Sequence, residues 1–147
     1  MQKVTPFLWF DQQAEDAARF YVSVFKDGTV GKPMLAPDGK VLVVPFSIQG
    51  QEFSALNGGP QFKFNESVSF VVHCKDQKEV DYYWEKLISG GGKESMCGWL
   101  KDRYGLSWQV VPDALFELMR GPKAQKVMEA FMQMRKFDIA ALERAAA

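Results

Sequence analysis

The chain has 147 residues, 18 basic and 18 acidic, with 47% hydrophobic and 24% charged side chains. That length fits one domain with a real core, and zero net charge gives no electrostatic footprint for nucleic acid or an anionic membrane surface. No apolar run reaches the roughly 18 residues of a spanning helix, the N-terminus lacks a signal-peptide layout, and Cys74 and Cys97 form no CxxC, which fits a cytoplasmic setting. With His73 as the one histidine, a His-rich metal site is excluded, and any metal would need carboxylates.

Lys3–Phe10 is apolar and aromatic and reads as a buried strand. Ala14, Ala17, Ala18, Tyr21 and Phe25 recur at helical spacing, predicting a helix over Ala14–Phe25 with Asp11 as candidate cap. A loop with Pro33 and Pro37 leads to Asp38-Gly39, a hairpin signal. Val41–Ile48 and Gln51–Leu56 read as two strands meeting at Gly50, and Asn57-Gly58-Gly59-Pro60 ends the pattern.

The same plan then restarts. Ser67–His73 reads as a strand, and Val80, Tyr83, Trp84, Leu87 and Ile88 predict an amphipathic helix over Asp76–Ser89. Gly90–Gly92 stops that helix; the run follows a helix and lacks a Lys-Ser/Thr, so it is no phosphate loop. Glu94–Lys101 and Leu106–Val111 are strands joined by the charged turn Asp102-Arg103-Tyr104-Gly105, and Pro112 closes the half. The tail, Pro122–Ala146, reads as helical, with an apolar stripe through Val127, Met128, Phe131, Met132 and Met134, and Asp138 is a candidate cap for a last short helix. The stripe could fold back on the sheet or dock another chain, but it is expected to pack against a second subunit, making a homodimer.

A β-α-β-β(-β) plan thus occurs twice at a spacing of about sixty residues, and such duplication decides the fold. The expected class is α+β: one domain over 1–147, with a first module at 1–60, a second at 66–112 and a helical tail at 113–147. If each sheet buries one face on its own helix, the other faces are left to line a shared cleft in a cupped, pseudo-two-fold mixed sheet.

Tandem βαβββ modules resemble the vicinal oxygen chelate superfamily: glyoxalases, extradiol dioxygenases, and bleomycin- or fosfomycin-resistance proteins. Three stretches, TPFLWFDQQAEDAARFY (5–21), FSALNGGPQFKFN (53–65) and CGWLKDRYGLSWQVVP (97–112), are similar to its PhnB-like branch. In the superfamily, cleft-facing His, Glu and Asp hold a divalent metal that acts as a Lewis acid. Carried over by position, the resemblance implies ligand sites at Thr5 (or Pro6 in a shifted register), Ala55, Ser69 and Gln109. None of these is a carboxylate or imidazole, so a complete metal site is not expected and no cofactor is assigned.

The expected ligand cleft comprises Thr5, Phe7, Trp9 and Phe53, Ala55, Asn57 from the first half. Ser69, Val71 and His73, with Gln109 and Val111, come from the second. His73 reads as a general base at the rim or, more commonly, as a strand-end histidine bonded to backbone. Gln109 and Asn57 either orient a polar ligand or satisfy backbone groups. Trp108 should face the helix by alternation with Gln109, leaving Trp9 as the aromatic cleft candidate. Cys97 has no histidine nearby in sequence and reads as a small buried or edge cysteine, with catalytic residues unassigned.

The expected function is binding of a small, partly apolar ligand without a metal. The alternative is a metal-dependent lyase or dioxygenase recruiting His73 with Glu52 or Glu66. The branch also carries the name 3-demethylubiquinone-9 3-methyltransferase. Asp11-Gln12-Gln13-Ala14-Glu15 after the first strand lacks the glycines that cradle S-adenosylmethionine in Rossmann-like enzymes, so that activity is ranked last.

Overall fold

A computed structural model describes all 147 residues, which divide into two compact units, Met1–Phe64 and Asn65–Ala147. The first runs β1 (Phe7–Phe10), α1 (Ala14–Phe25), β2 (Thr29–Val30), β3 (Met34–Leu35), β4 (Val41–Ile48) and β5 (Gln51–Asn57). Its sheet follows the path β1-β5-β4-β2, with β3 also on β4. The pair β1/β5 is parallel and the others antiparallel. The βαβββ plan is therefore present, with its second strand broken into β2 and β3.

Helix α1 has the predicted bounds because its small residues let it lie close to the sheet. Ala14, Ala17 and Ala18 are fully buried beside Tyr21, whose ring stacks on Phe46, itself stacked on Phe53. Burying an aromatic of that size is worth about 2 kcal/mol. The expected Asp11 cap is not used. Gln13 occupies the cap position without a side-chain bond, and the Asn57 Oδ1 accepts the Ala14 N–H at 2.9 Å from across the sheet. Two further expectations are corrected. The first strand begins at Phe7 instead of Lys3. The segment expected as a plain loop holds β2 and β3, which add to the edge of β4 and are too short to show a periodicity.

The second unit runs β6 (Ser69–Cys74), α2 (Gln77–Ile88), β7 (Lys93–Glu94), β8 (Trp99–Lys101), β9 (Ser107–Pro112), then α3 (Asp113–Met119), α4 (Ala124–Phe131) and α5 (Ile139–Ala146). Its sheet path, β6-β9-β8-β7, repeats the first, again with a parallel pair of first and last strands. Asp76 caps α2 through the Glu79 N–H, while Glu79 accepts the Lys75 N–H, an arrangement close to a capping box. The strand expected over Glu94–Lys101 is split at Cys97 and Gly98, which have φ of 58° and 81°.

The tail packs within its own unit. Val111, Leu115, Val127, Phe137 and Leu142 form a buried cluster, with Phe131 and Met134 packed against it. The stripe expected to meet a second subunit is thus divided: Val127 is fully buried inside the chain, whereas Met128 and Met132 stay exposed. The division follows helical geometry, since Val127 and Phe131 lie four apart on one face and Met128 and Met132 on the next.

Candidate functional site

Strand pairing decides which residues share a sheet face, because residues directly opposite each other point the same way. In the first unit Leu8 pairs with Ala55 and Phe10 with Asn57, and this set faces α1; Phe7 pairs with Ser54 and Trp9 with Leu56 on the open face. Phe7 and Trp9 therefore lie on the open face as expected. Phe53, Ala55 and Asn57 do not: Phe53 is stacked under Tyr21 and Phe46, and Ala55 is fully buried. Asn57 spends its carbonyl on α1 and donates Nδ2–H to the Val41 carbonyl at 3.1 Å. The assignment on this strand is off by one residue, which moves every side chain to the other face.

Trp9 is occupied as well. Its Nε1 donates to the Gly59 carbonyl at 2.9 Å, Phe62 meets its ring edge-on at 4.9 Å, and Gly58 lies so close that an added Cβ would be 2.4 Å from the ring. Phe7 remains 58% exposed.

On the open face of this sheet is a cavity of about 320 Å³, near the lower end for small-molecule sites. Its polar walls are Thr5, Thr29, Ser47, Ser54 and Glu52, and Pro45 contributes apolar surface. The hairpin register supports this grouping: Ser47 opposes Glu52, Pro45 opposes Ser54, and Thr29 opposes Ser47. Thr29 and Ser47 hydroxyls bond each other at 3.1 Å. Glu52 Oε2 accepts the Gln2 N–H at 2.8 Å. The hydroxyls of Thr5 and Ser54 make no hydrogen bond. Of the expected cleft residues only Thr5 lines this cavity, together with Glu52, which the metal-dependent alternative names. Thr29, Ser47 and Ser54 escaped sequence reading; the turn at Gln49-Gly50, with φ of 50° and 75°, was the signal that sets their register.

In the second unit the predicted face is the observed one. Ser69, Val71 and His73 on β6 oppose Ser107, Gln109 and Val111 on β9. Gln109 donates Nε2–H to the Ser69 hydroxyl at 2.9 Å, so two expected ligand positions satisfy each other. Val71 is 41% exposed, and His73 is exposed with its ring 5.7 Å from that of Phe116. Val111 is withdrawn into the tail cluster. Ser107 is fully buried and its hydroxyl has no partner. Glu66 is engaged by Lys101 at 2.9 Å, and that hydrogen bond and charge hold its carboxyl below the usual range. On the opposite face Trp108 is buried as expected, donating Nε1–H to Asp102 at 2.9 Å. The second oxygen of Asp102 accepts the Tyr104 and Leu106 N–H groups, so this buried carboxylate organises its turn.

A divalent metal of the kind the fold uses does not fit these residues. Ala55 faces the helix, Ser69 and Gln109 are bonded to each other, and no three His, Cys, Asp or Glu side chains gather as a ligand set. S-adenosylmethionine in a Rossmann-like mode does not fit either, because the chain's own backbone fills the end of β1. Gly58 and Gly59 donate there to Phe10 and Asp11 at 2.8 and 3.1 Å.

Comparison with known proteins places the chain. The model of the 3-demethylubiquinone-9 3-methyltransferase family matches residues 2–111, about three quarters of the sequence. The chain belongs to this family. Among solved structures, a Bacillus cereus PhnB protein bearing the same methyltransferase label is 31% identical, with a TM-score of 0.69 over 76% of this chain and 99% of that one. The fold is shared with protein PA1353 of Pseudomonas aeruginosa (17% identity, TM-score 0.61, 76% and 98% covered). It is shared too with the fosfomycin resistance protein FosX of Listeria monocytogenes (13%, 0.58, 79% and 94%). These two likenesses concern the fold alone. No curated protein matches the chain significantly. The family is thus the PhnB-like one that the sequence resembles, and the family model stops before the helical tail. No helix is long and apolar enough to cross a membrane.

Proposed function

We propose that this PhnB-like chain binds a small, partly apolar molecule in the hydroxyl-lined cavity of its first sheet, without a resident divalent metal. The observation that carries the reading is the convergence of Thr5, Thr29, Ser47, Ser54 and Glu52 on one concave, open sheet face. A few placed polar groups over an apolar floor are what orient a small ligand. Two of the hydroxyls, on Thr5 and Ser54, have no internal partner and so are available to one. The donor set speaks against the metal-dependent lyase or dioxygenase alternative, and the filled end of β1 against methyl transfer from S-adenosylmethionine.

A fragment screen followed by amide chemical shifts of the labelled chain tests this. Binding fragments are expected to move Thr29, Ser47 and Ser54 together. The variant Ser54→Phe, which fills the open face without touching the buried one, should abolish those shifts while leaving the fold intact. Hits that map elsewhere, or that survive in Ser54→Phe, overturn the assignment.

A further inference from the structure

The cavity has a definite charge preference. Glu52 is the one charged side chain in its lining. Its Oε2 holds the Gln2 N–H and its Oε1 has no partner, and Met1, which reaches the rim, forms no ion pair with it. An anion would be held best by free backbone N–H donors or cationic side chains, and the walls supply neither; the Met1 α-ammonium, at the exposed start of the chain, is the one cationic group in the lining. Gly31 donates its N–H to the Pro45 carbonyl at 2.7 Å, Ser54 donates to Pro6 at 3.0 Å, and Glu52 donates to the Gln2 side chain at 3.1 Å. Pro45 has no N–H to give. What remains is acceptor-rich: a carboxylate oxygen and hydroxyls that can each accept as well as donate.

We infer that the ligand is a cationic, hydroxyl-bearing small molecule whose ammonium group meets Glu52 and whose hydroxyls meet Thr5, Ser54 and the Thr29–Ser47 pair. The inference rests on the ligand-binding reading above and adds the class of ligand to it. An ammonium offers three donors to an acceptor-only carboxylate, and charge-assisted bonds of this kind are the strong ones. A carboxylate or phosphate in the same place would face Glu52 as a like charge and leave the carboxylate's free oxygen unpaired.

Three near-isosteric probes separate the possibilities at pH 7: 2-phenylglycinol (cationic), 1-phenyl-1,2-ethanediol (neutral) and mandelate (anionic), titrated into the full labelled chain. The amine is expected to bind about tenfold tighter than mandelate, with the diol between them. Glu52→Gln keeps an acceptor for the Gln2 N–H and should bring the amine to the affinity of the diol. If mandelate binds as well as the amine, or if the amine keeps its advantage in Glu52→Gln, the ligand class is wrong and the cavity remains a binding site. If none of the three moves the Thr29, Ser47 and Ser54 amides up to its solubility, the ligand-binding reading falls and the class inference with it.

Discussion

At the scale of single residues, polar side chains that resemble ligand contacts in a sequence are often consumed by the fold. Asn57 caps a helix, Gln109 bonds Ser69, and Asp102 holds a turn and Trp108. The cysteines separate in the same way. Cys74 is fully buried at the end of β6, and burial first, then the carboxylates of Glu79, Asp113 and Asp76, push its thiol up to about 12. Cys97 is half-buried at a kinked strand position, its sulfur 3.8 Å from that of Met132. A thiol reagent at about pH 8 should therefore react with one cysteine per native chain and with both in denaturant, since only the thiolate attacks. The raised value also has a thermodynamic sign. Below the ordinary value of 9.0 both folded and unfolded thiols keep their proton, and stability is untouched. Between that value and about 12 only the unfolded thiol ionises, so stability falls with rising pH by up to about 1.4 kcal/mol per pH unit. Urea midpoints of the wild type should drop more steeply above pH 9 than those of Cys74→Ala; parallel curves would mean that the thiol reaches solvent.

At the scale of elements, the helical tail is held by backbone groups rather than by its apolar stripe alone. Gln77 on α2 donates Nε2–H to the Phe137 carbonyl at 3.0 Å and accepts the Ile139 N–H at 2.8 Å, bracketing the start of α5. Lys136 adds an ion pair to Asp81 at 2.8 Å, which draws that carboxyl below its usual range. Exposed as it is, that pair adds little. Gln77→Ala strips both partners from half-buried backbone, and a bond of each kind is worth about 1 kcal/mol. Amide exchange of Ile139–Ala146 should accelerate about tenfold, with the rest of the second unit unaffected. Uniform acceleration across the unit would show instead that tail and sheet open as one. None of this tether was legible in the sequence, because Gln77 and Phe137 are sixty positions apart. Local patterns were legible: α1 and α2 stand where Ala, aromatic and Asp spacing put them. The face of β5 failed for a different reason. Family position suggested Ala55, whereas the two-residue turn at Gln49-Gly50 pairs Phe46 with Phe53 and sends Glu52 and Ser54 to the open side. Turn geometry, not family position, sets register.

At the scale of the whole molecule, the duplicated plan bears on whether the chain can hold a metal. Each unit carries the same strand path, with its first and last strands parallel, and β1 with β5 and β6 with β9 are the strands on which the fold's metal ligands would stand. On or beside their open faces the chain offers Thr5, Ser54, Ser69 and Gln109, with Glu52 as the one carboxylate in the first sheet's cavity and His73 as the one imidazole, on the second sheet. Hydroxyls and amides are weak donors for a hard divalent ion that must shed water to bind, and one carboxylate and one imidazole on different sheets, with no third such ligand gathered at either, do not compensate. Dialysis against EDTA followed by addition of Mg²⁺, Mn²⁺ or Zn²⁺ should therefore leave Tm unchanged within about 1 °C. The measurement is sensitive enough to decide the matter. A metal held at a hundred times its Kd contributes about 2.7 kcal/mol, which for a chain of this size is a shift of several degrees. A reversible shift of that size, with stoichiometric metal by elemental analysis, would restore the metal-dependent reading. Glu52→Gln would then locate the ion: loss of the shift assigns it to the first sheet's cavity, and its persistence assigns it elsewhere.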